Sequence, residues 1–512
     1  MTLESEKGSN QWKYHHEHVE DSSIDSSSIQ KGHLQKPARS FTPEEEKKLY
    51  RKVDLHLLPM LAILYLLSFM DRGNIGNARL AGLETDLNMS GNDYSIALSV
   101  FFITYCIAEV PANLALKKLR PSIWLASITI VWGIVMTLMG VVQNFGGLIG
   151  SRLALGIAEA GLFPGVIYYL TLWYPRHLSQ QRVALFFSAA TIAGAFSGLL
   201  AYGIGFMGGT GTLYGSPMSG WRWIFILEGL LTVIAGIVAF WALTDYPGTA
   251  SWLSEEEKAW LIYRKATDSG VHGESDQVKS VFIKRALTDW QVWLATAFYM
   301  GVVTPLYAIG LFAPTLINAL GGYTRPQVQL LTVPIYVAAC IWTIVSAVWS
   351  DKMKKRFPLL MVDYVLCTIG LIMNLAPSPA GVRFAGLFFI AAGSYAGLPQ
   401  VVCWLGNNLA PQTKRAIGSA FQIGVGNFAA LISSNVYRDP PRFIKGHAIV
   451  MGMVGLGFIT APLYAALLKR ENMKREKELT RQQGLPDSEK RVYTVQELRD
   501  LGDRAPEFVY TI

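Results

Sequence analysis

The stretch VDLHLLPMLAILYLLSFMDRGNIG, Val53 to Gly76, decides the class of this chain. From Val53 to Met70 it reads as a helix apolar and long enough to cross a bilayer, for which about twenty residues suffice. Yet it carries an adjacent acid and base, Asp71 and Arg72, close to its far end. A charge at the bilayer centre costs roughly 2.5–3.5 kcal/mol on insertion scales, so an intramembrane acid and base are a functional hypothesis by default. As neighbours on a helix of 3.6 residues per turn, the two side chains point about 100° apart. One of them can face a central cavity while the other faces a neighbouring helix.

Working outward, similar apolar stretches recur along the 512 residues, of which 51% are hydrophobic and 16% charged. They give twelve candidate spans at 54–76, 94–116, 122–142, 146–172, 182–205, 221–243, 290–318, 328–350, 357–376, 382–405, 415–436 and 446–468. The expected fold is therefore an all-α membrane protein with two six-helix, pseudo-symmetric halves. Its segments are an N-terminal tail (1–43), a first half (44–243), a central loop (244–289), a second half (290–469) and a C-terminal tail (470–512). The short loops on one side carry Lys117, Lys118, Arg120, Arg176, Arg182, Lys352, Lys354, Lys355, Arg356, Lys414 and Arg415, eleven basic residues. The other side has six: Arg79, Arg325, Arg383, Arg438, Arg442 and Lys445. The positive-inside bias then puts both termini and the central loop in the cytoplasm, with the plasma membrane as the expected location and Asn88-Met89-Ser90 as an external sequon. The same bias accounts for the net charge of +8 without a nucleic-acid partner.

The first 50 residues are polar and lack the features of a cleaved signal peptide, so the first span is expected to serve as the address. HHEHVED, His15 to Asp21, reads as a solvated tract in that tail rather than as a metal or catalytic site. Cys106, Cys340, Cys367 and Cys403 all fall inside apolar runs, where cysteine behaves as a small buried hydrophobe. No zinc spacing, nucleophile elbow or phosphate loop stands in a suitable context, which argues against an enzyme and against any cofactor or metal. Capping boxes at Thr42 to Glu45 (TPEE) and Ser254 to Glu257 (SEEE) mark helices leading into span one and within the central loop. The charged KRENMKREKE (469–478) and the terminal EFVYTI (507–512) read as solvated packing elements.

The two halves can be compared directly. Arg152 and Arg182 bracket span four at a spacing of 30, and Arg383 and Arg415 bracket span ten at 32. Arg152 and Glu159 lie seven residues apart, two helical turns, so span four presents a base and an acid on nearly one face. Seven residues after Arg383 stands Ile390, so the second half has no counterpart of Glu159. That asymmetry favours a specialised role for Glu159 over two inert salt bridges. Asp71, Arg72, Arg152 and Glu159 sum to zero charge, as buried charges should if they pair.

The expected mechanism is that a carboxylate substrate entering the cavity would compete with Glu159 or Asp71 for an arginine, which binds carboxylates bidentately and keeps its charge. The displaced acid, less well paired, would take a proton. Anion binding and proton uptake are thereby coupled, and the coupling is reciprocal.

Six stretches carry a resemblance that covers nearly the whole chain from Glu44: LLSFMDRGNIGNA (66–78), FFITYCIAEVPAN (101–113), SRLALGIAEAGLFPGVIYYLTLWYPR (151–176), GWRWIFILEG (220–229), SDKMKKR (350–356) and EFVYTI. The chain resembles the major facilitator superfamily and, within it, the anion:cation symporter family with its fungal allantoate and nicotinate permeases. The resemblance implies that Asp71 and Glu159 carry the proton and that Arg72 and Arg152 hold the substrate anion. It also places a cavity tyrosine at Tyr105.

Gln422 and Asn427 stand where the first half has Ala189 and Gly194, so they are additions to the scaffold, with either substrate or a neighbouring helix as partner. Tyr307 is a further candidate to stack on a small aromatic acid. Asp351 with Arg356 reads as a latch between conformations, Glu109 as packing between helices, and Pro305 and Pro314 as interruptions of span seven. Asp363 is a lone interior acid with no assigned role. The resulting expectation is a monomeric, proton-coupled importer of a small monocarboxylate such as nicotinate or allantoate, working by alternating access. An exporter of an acidic metabolite and a non-transporting nutrient receptor are the alternatives.

Overall fold

The computed structural model describes residues 39–90, 92–213, 215–268, 280–353, 355–483, 493–494, 497 and 501–512. The histidine tract lies outside them. The chain begins with α1 (Pro43–Leu80), a short α2 (Leu83–Asp86), α3 (Asp93–Lys118), α4 (Pro121–Met139), α5 (Phe145–Glu159), α6 (Leu162–Trp173), α7 (Arg176–Gly205) and α8 (Gly220–Ala242). The central segment forms α9 (Glu255–Asp268) and α10 (Ser280–Leu287). The second half comprises α11 (Trp290–Asn318), α12 (Arg325–Met353), α13 (Phe357–Leu375), α14 (Ala380–Asn408), α15 (Gln412–Gly426), α16 (Ala429–Val436) and α17 (Ile444–Gln483). With α5–α6 and α15–α16 each taken as one span, eleven of the described helices are long and apolar enough to cross a membrane. The 26-residue α3 occupies the place of the remaining span, and at 1.5 Å per residue reaches roughly 39 Å.

Local chemistry fixes the helix starts. The Thr42 hydroxyl accepts from the Glu45 N–H and the Glu45 carboxylate accepts from the Thr42 N–H at 2.9 Å, with Pro43 at the first helical position. Thr42, through its N–H and then its hydroxyl, and Arg39 after it hold the Glu45 carboxyl below its usual value. The amphipathic lead and span one are consequently a single 38-residue helix. Ser254 and Glu257 form the second capping box at the start of α9. The four cysteines are free.

Span four departs from the expected continuous helix. It breaks at Ala160 and Gly161, directly after Glu159. The cause is Pro164, which has no N–H to give the carbonyl four residues back and whose ring crowds that turn. Span eleven is likewise split, at Asn427 and Phe428.

The near face is taken as the one from which α1 starts and the far face as the one where it ends. The halves meet along α1 against α11, α7 against α12, and α3 against α15 and α16. At the far face Tyr94 of α3, Phe312 of α11 and Tyr437 after α16 stack with ring centroids 6.3 and 5.1 Å apart. There Ser99 of α3 also accepts from Asn435 Nδ2 of α16 at 2.7 Å. A Cβ on Gly198 of α7 would stand 2.4 Å from Thr332 Oγ1 and 2.8 Å from the Gln329 carbonyl of α12. Gly198→Val is therefore expected to prop the far face open, with an overpacking cost of about 1–3 kcal/mol. Spin labels on the 206–219 and 319–324 loops should then lie farther apart than in the parent protein, and an unchanged distance would contradict this.

On the near face α9 packs against the first half. Lys52 reaches Glu257 at 2.8 Å, Arg264 reaches Glu46 at 2.7 Å, and Trp252 stacks on His56 at 4.1 Å between centroids. The terminal EFVYTI is not solvated as expected. Tyr510 is buried and residues 502–512 dock onto the near face of the second half. Exposed Ile107, Ile157, Trp241 and Ile459 belong to an apolar exterior suited to lipid.

Candidate functional site

A cavity lies between the halves at mid-height, in two lobes that share Phe69, Arg72, Leu306 and Tyr307. The far-face lobe is lined by Asn77 of α1, Ser197 of α7, Thr332 and Tyr336 of α12 and Tyr395 of α14. The near-face lobe is lined by Tyr65, Tyr105, Phe163, Phe187, Tyr299 and Asn427. Tyr65, Phe69 and Arg72 stand at helical spacing, so α1 turns one aromatic and cationic stripe inward.

Arg72 is the centre of the site. Its Nε donates to Glu159 Oε1 at 2.7 Å and its Nη1 to the Tyr307 hydroxyl at 3.1 Å, which joins the two halves. The guanidinium lies 4.6 Å from the Tyr105 ring centroid and 5.2 Å from that of Phe69. The Ser68 hydroxyl donates to the same Glu159 Oε1 in a short contact. Glu159 Oε2 is buried and has no hydrogen-bond partner among the described residues.

Asp71 points the other way. Its Oδ2 accepts from Trp132 Nε1 of α4 at 2.9 Å and from Thr232 Oγ1 of α8 at 3.1 Å, while Oδ1 is buried without a partner among the described residues. The adjacent acid and base are thus divided, with Arg72 toward the cavity and Asp71 behind α1. Arg152 is also buried and lies outside the cavity lining, its guanidinium 5.9 Å from the Phe101 ring centroid. Its Nε and Nη2 have no hydrogen-bond partner among the described residues.

Of the other expected residues, Tyr105, Tyr307 and Asn427 line the cavity, and Asn427 Oδ1 accepts from the Tyr299 hydroxyl at 3.3 Å. Gln422 instead donates to the carbonyls of Ala295 at 3.2 Å and Val401 at 3.3 Å, which ties α15 to α11 and α14. Arg356 Nη1 donates to Ser350 at 2.6 Å, and the side chain of Asp351 lies outside the described residues. Asp363 accepts from Trp342 and Gln400, each at 2.8 Å, a structural tie between α12, α13 and α14. Pro305 and Pro314 sit within a continuous α11, and Pro314 lines the far-face lobe.

Sequence reasoning missed Ser68, which sits one turn before Arg72, a spacing that carried the signal. It also missed Tyr299, Tyr336 and Tyr395, whose cavity positions have no local signature. Among the described residues no group of three or more acidic, histidine or cysteine side chains is placed to hold a metal.

The Major Facilitator Superfamily model matches residues 61–434. The chain is 34% identical over 490 residues to the MFS-type transporter cnsO of Penicillium expansum, covering 92% of each chain. It is 33% identical over 440 residues to an uncharacterised transporter of Schizosaccharomyces pombe, covering 86% of this chain and 87% of that one. Among solved structures, a bacterial homologue of the human lysosomal transporter Spinster has a TM-score of 0.57 at 16% identity, covering 81% of this chain and 96% of that chain. The proton:xylose symporter XylE has a TM-score of 0.59 at 14% identity, covering 87% and 98%. A bundle of membrane-length helices around a charged cavity, matched along most of its length by transporters, makes this chain a membrane transporter belonging to the major facilitator superfamily.

Proposed function

We propose that this transporter carries a small organic anion, a monocarboxylate such as nicotinate or allantoate, inward together with a proton, as an anion:cation symporter of the fungal permease kind. The observation that carries the reading is Arg72, a cavity cation whose one carboxylate partner among the described residues is Glu159 at 2.7 Å and which is walled by Phe69, Tyr105 and Tyr307. A planar carboxylate fits between those rings and takes the guanidinium bidentately, displacing Glu159. Glu159, buried and released from its cation, takes the proton. Asp71 shares proton duty from behind α1, where its charge acts on the adjacent Arg72. Arg152, below the aromatic stack of the far face, offers a substrate anion a second cation when that face opens. The loop at Asp351 and Arg356 serves as a latch between states.

The positive-inside bias of the basic loops supports a cytoplasmic near face, and we read the chain as a monomer of the plasma membrane. Uptake of radiolabelled carboxylates, nicotinate among them, by cells expressing the chain tests the reading at external pH about 5 and about 7.5. Uptake should rise as pH falls, and one proton per anion gives about tenfold accumulation per pH unit. The absence of pH-dependent uptake of every anion in the panel would overturn it.

A further inference from the structure

Glu109 of α3 is 1% exposed, and neither of its carboxyl oxygens has a hydrogen-bond partner among the described residues. It stands one turn nearer the near face than Tyr105 and faces the other half of the molecule. A Cβ built on Gly424 of α15 would lie 3.5 Å from its Oε2. The site is therefore a seam between halves, and alternating access must open and close such seams. We propose that Glu109 is a further protonation site of this transporter, a carboxyl carried neutral while α3 and α15 are packed together and ionised when they part.

An ionised carboxylate buried without donors is far more costly than the neutral acid. The groups within reach do not change that. Among the described residues Arg72 of α1 is the cation that acts on it, and Arg72 is engaged by Glu159 at 2.7 Å. Tyr105 and Cys106 on its own helix and Tyr299 of α11 bring it no positive charge. Arg152 of α5 lies toward the far face, with its guanidinium 5.9 Å from the Phe101 ring centroid. Toward the near end of α15, Lys414 is held by Asp289 and Asp503, and Arg415 donates to the Leu409 carbonyl. From α16, Ser434 and Asn435 meet Ser99, nearer the far face. Proton binding and seam closure then favour one another to the same extent. Arg72 and Glu159 couple the proton to the anion, whereas Glu109 couples it to the packing of the two halves.

This inference rests on the proton-coupled reading above, but its test reads the proton alone and needs no substrate. The full-length chain in lipid nanodiscs is melted at pH values from about 5 to 8. The parent protein should gain thermal stability as pH falls. E109Q, fixed in the neutral shape, should melt higher than the parent at the alkaline end and lose part of the slope. Gly424→Ser brings a hydroxyl donor to Oε2, favours the ionised form and should move the rise to lower pH. An E109Q profile parallel to the parent's, or an unmoved midpoint in Gly424→Ser, would overturn the assignment. Where E109Q does not fold, the Gly424→Ser midpoint decides alone. A chain that transported no anion yet showed these shifts would sink the substrate reading and leave Glu109 in place.

Discussion

Glu159→Gln is expected to abolish proton-driven accumulation while leaving exchange of labelled for unlabelled substrate intact. Glu159 is fully buried, and the charge it supplies is the only carboxylate within bonding distance of Arg72 among the described residues. The amide keeps the shape and still accepts from Arg72 Nε, but it cannot take or return a proton at any physiological pH. Removing one member of a buried ion pair destabilises by about 3–5 kcal/mol, because the partner charge is left uncompensated. On the proposed reading a substrate anion supplies the missing charge, so part of that energy reappears as affinity at about 1.4 kcal/mol per tenfold. The variant should therefore bind nicotinate at least tenfold more tightly and release it slowly. Counterflow and net uptake in proteoliposomes at two pH values separate the cases. Retained pH-driven accumulation would end the assignment of Glu159 as proton carrier.

How far the sequence disclosed this site follows from which interactions are local. Span number and the near-face charge bias are written in hydropathy and loop composition, and both survive any rotation of a helix. The absence of an acid at Ile390 argues for a specialised role of Glu159, but the zero charge sum of the four residues does not say that Arg72 is its partner. Which of Asp71 and Arg72 looks inward was not legible either. That depends on the rotation of α1, set by Trp132 and Thr232, which lie 61 and 161 residues away along the chain. The break after Glu159 could have been placed from Pro164, whereas the tie of Gln422 to the carbonyls of Ala295 and Val401 depends on the packing of three helices. Glu109 looked like a packing residue because its lack of partners shows only once Gly424 stands opposite it.

The docked C-terminus yields the second large effect, expected at Lys414. Its ammonium donates to Asp289 Oδ2 at 2.5 Å and to both Asp503 oxygens at 2.8 and 2.7 Å, with all three residues buried. Beyond Asp503, the Tyr510 N–H and carbonyl pair with the Asn472 side chain, each at 2.9 Å. The Thr511 carbonyl accepts from Trp404 Nε1 at 2.9 Å and Asn408 Nδ2 at 3.0 Å. Lys414→Met leaves two aspartates facing each other without a cation, so it should cost about 3–5 kcal/mol and free the tail. Asp503→Asn should be far milder. Burial pushes the Asp503 carboxyl above its usual value, Lys414 opposes the rise and Asp289 adds to it. A raised acid contributes stability that is present below its unfolded value and lost as pH rises through the folded one, so acid tightens this grip. The neutral amide imitates the tightened state and leaves Lys414 paired one to one with Asp289. Thermal unfolding and carboxypeptidase release of the last residues, each followed against pH, should rank Lys414→Met well below the parent. Asp503→Asn should lie near the parent with a flatter pH dependence. Equal losses in the two variants would show that the lysine, shared between two acids, does not hold the tail.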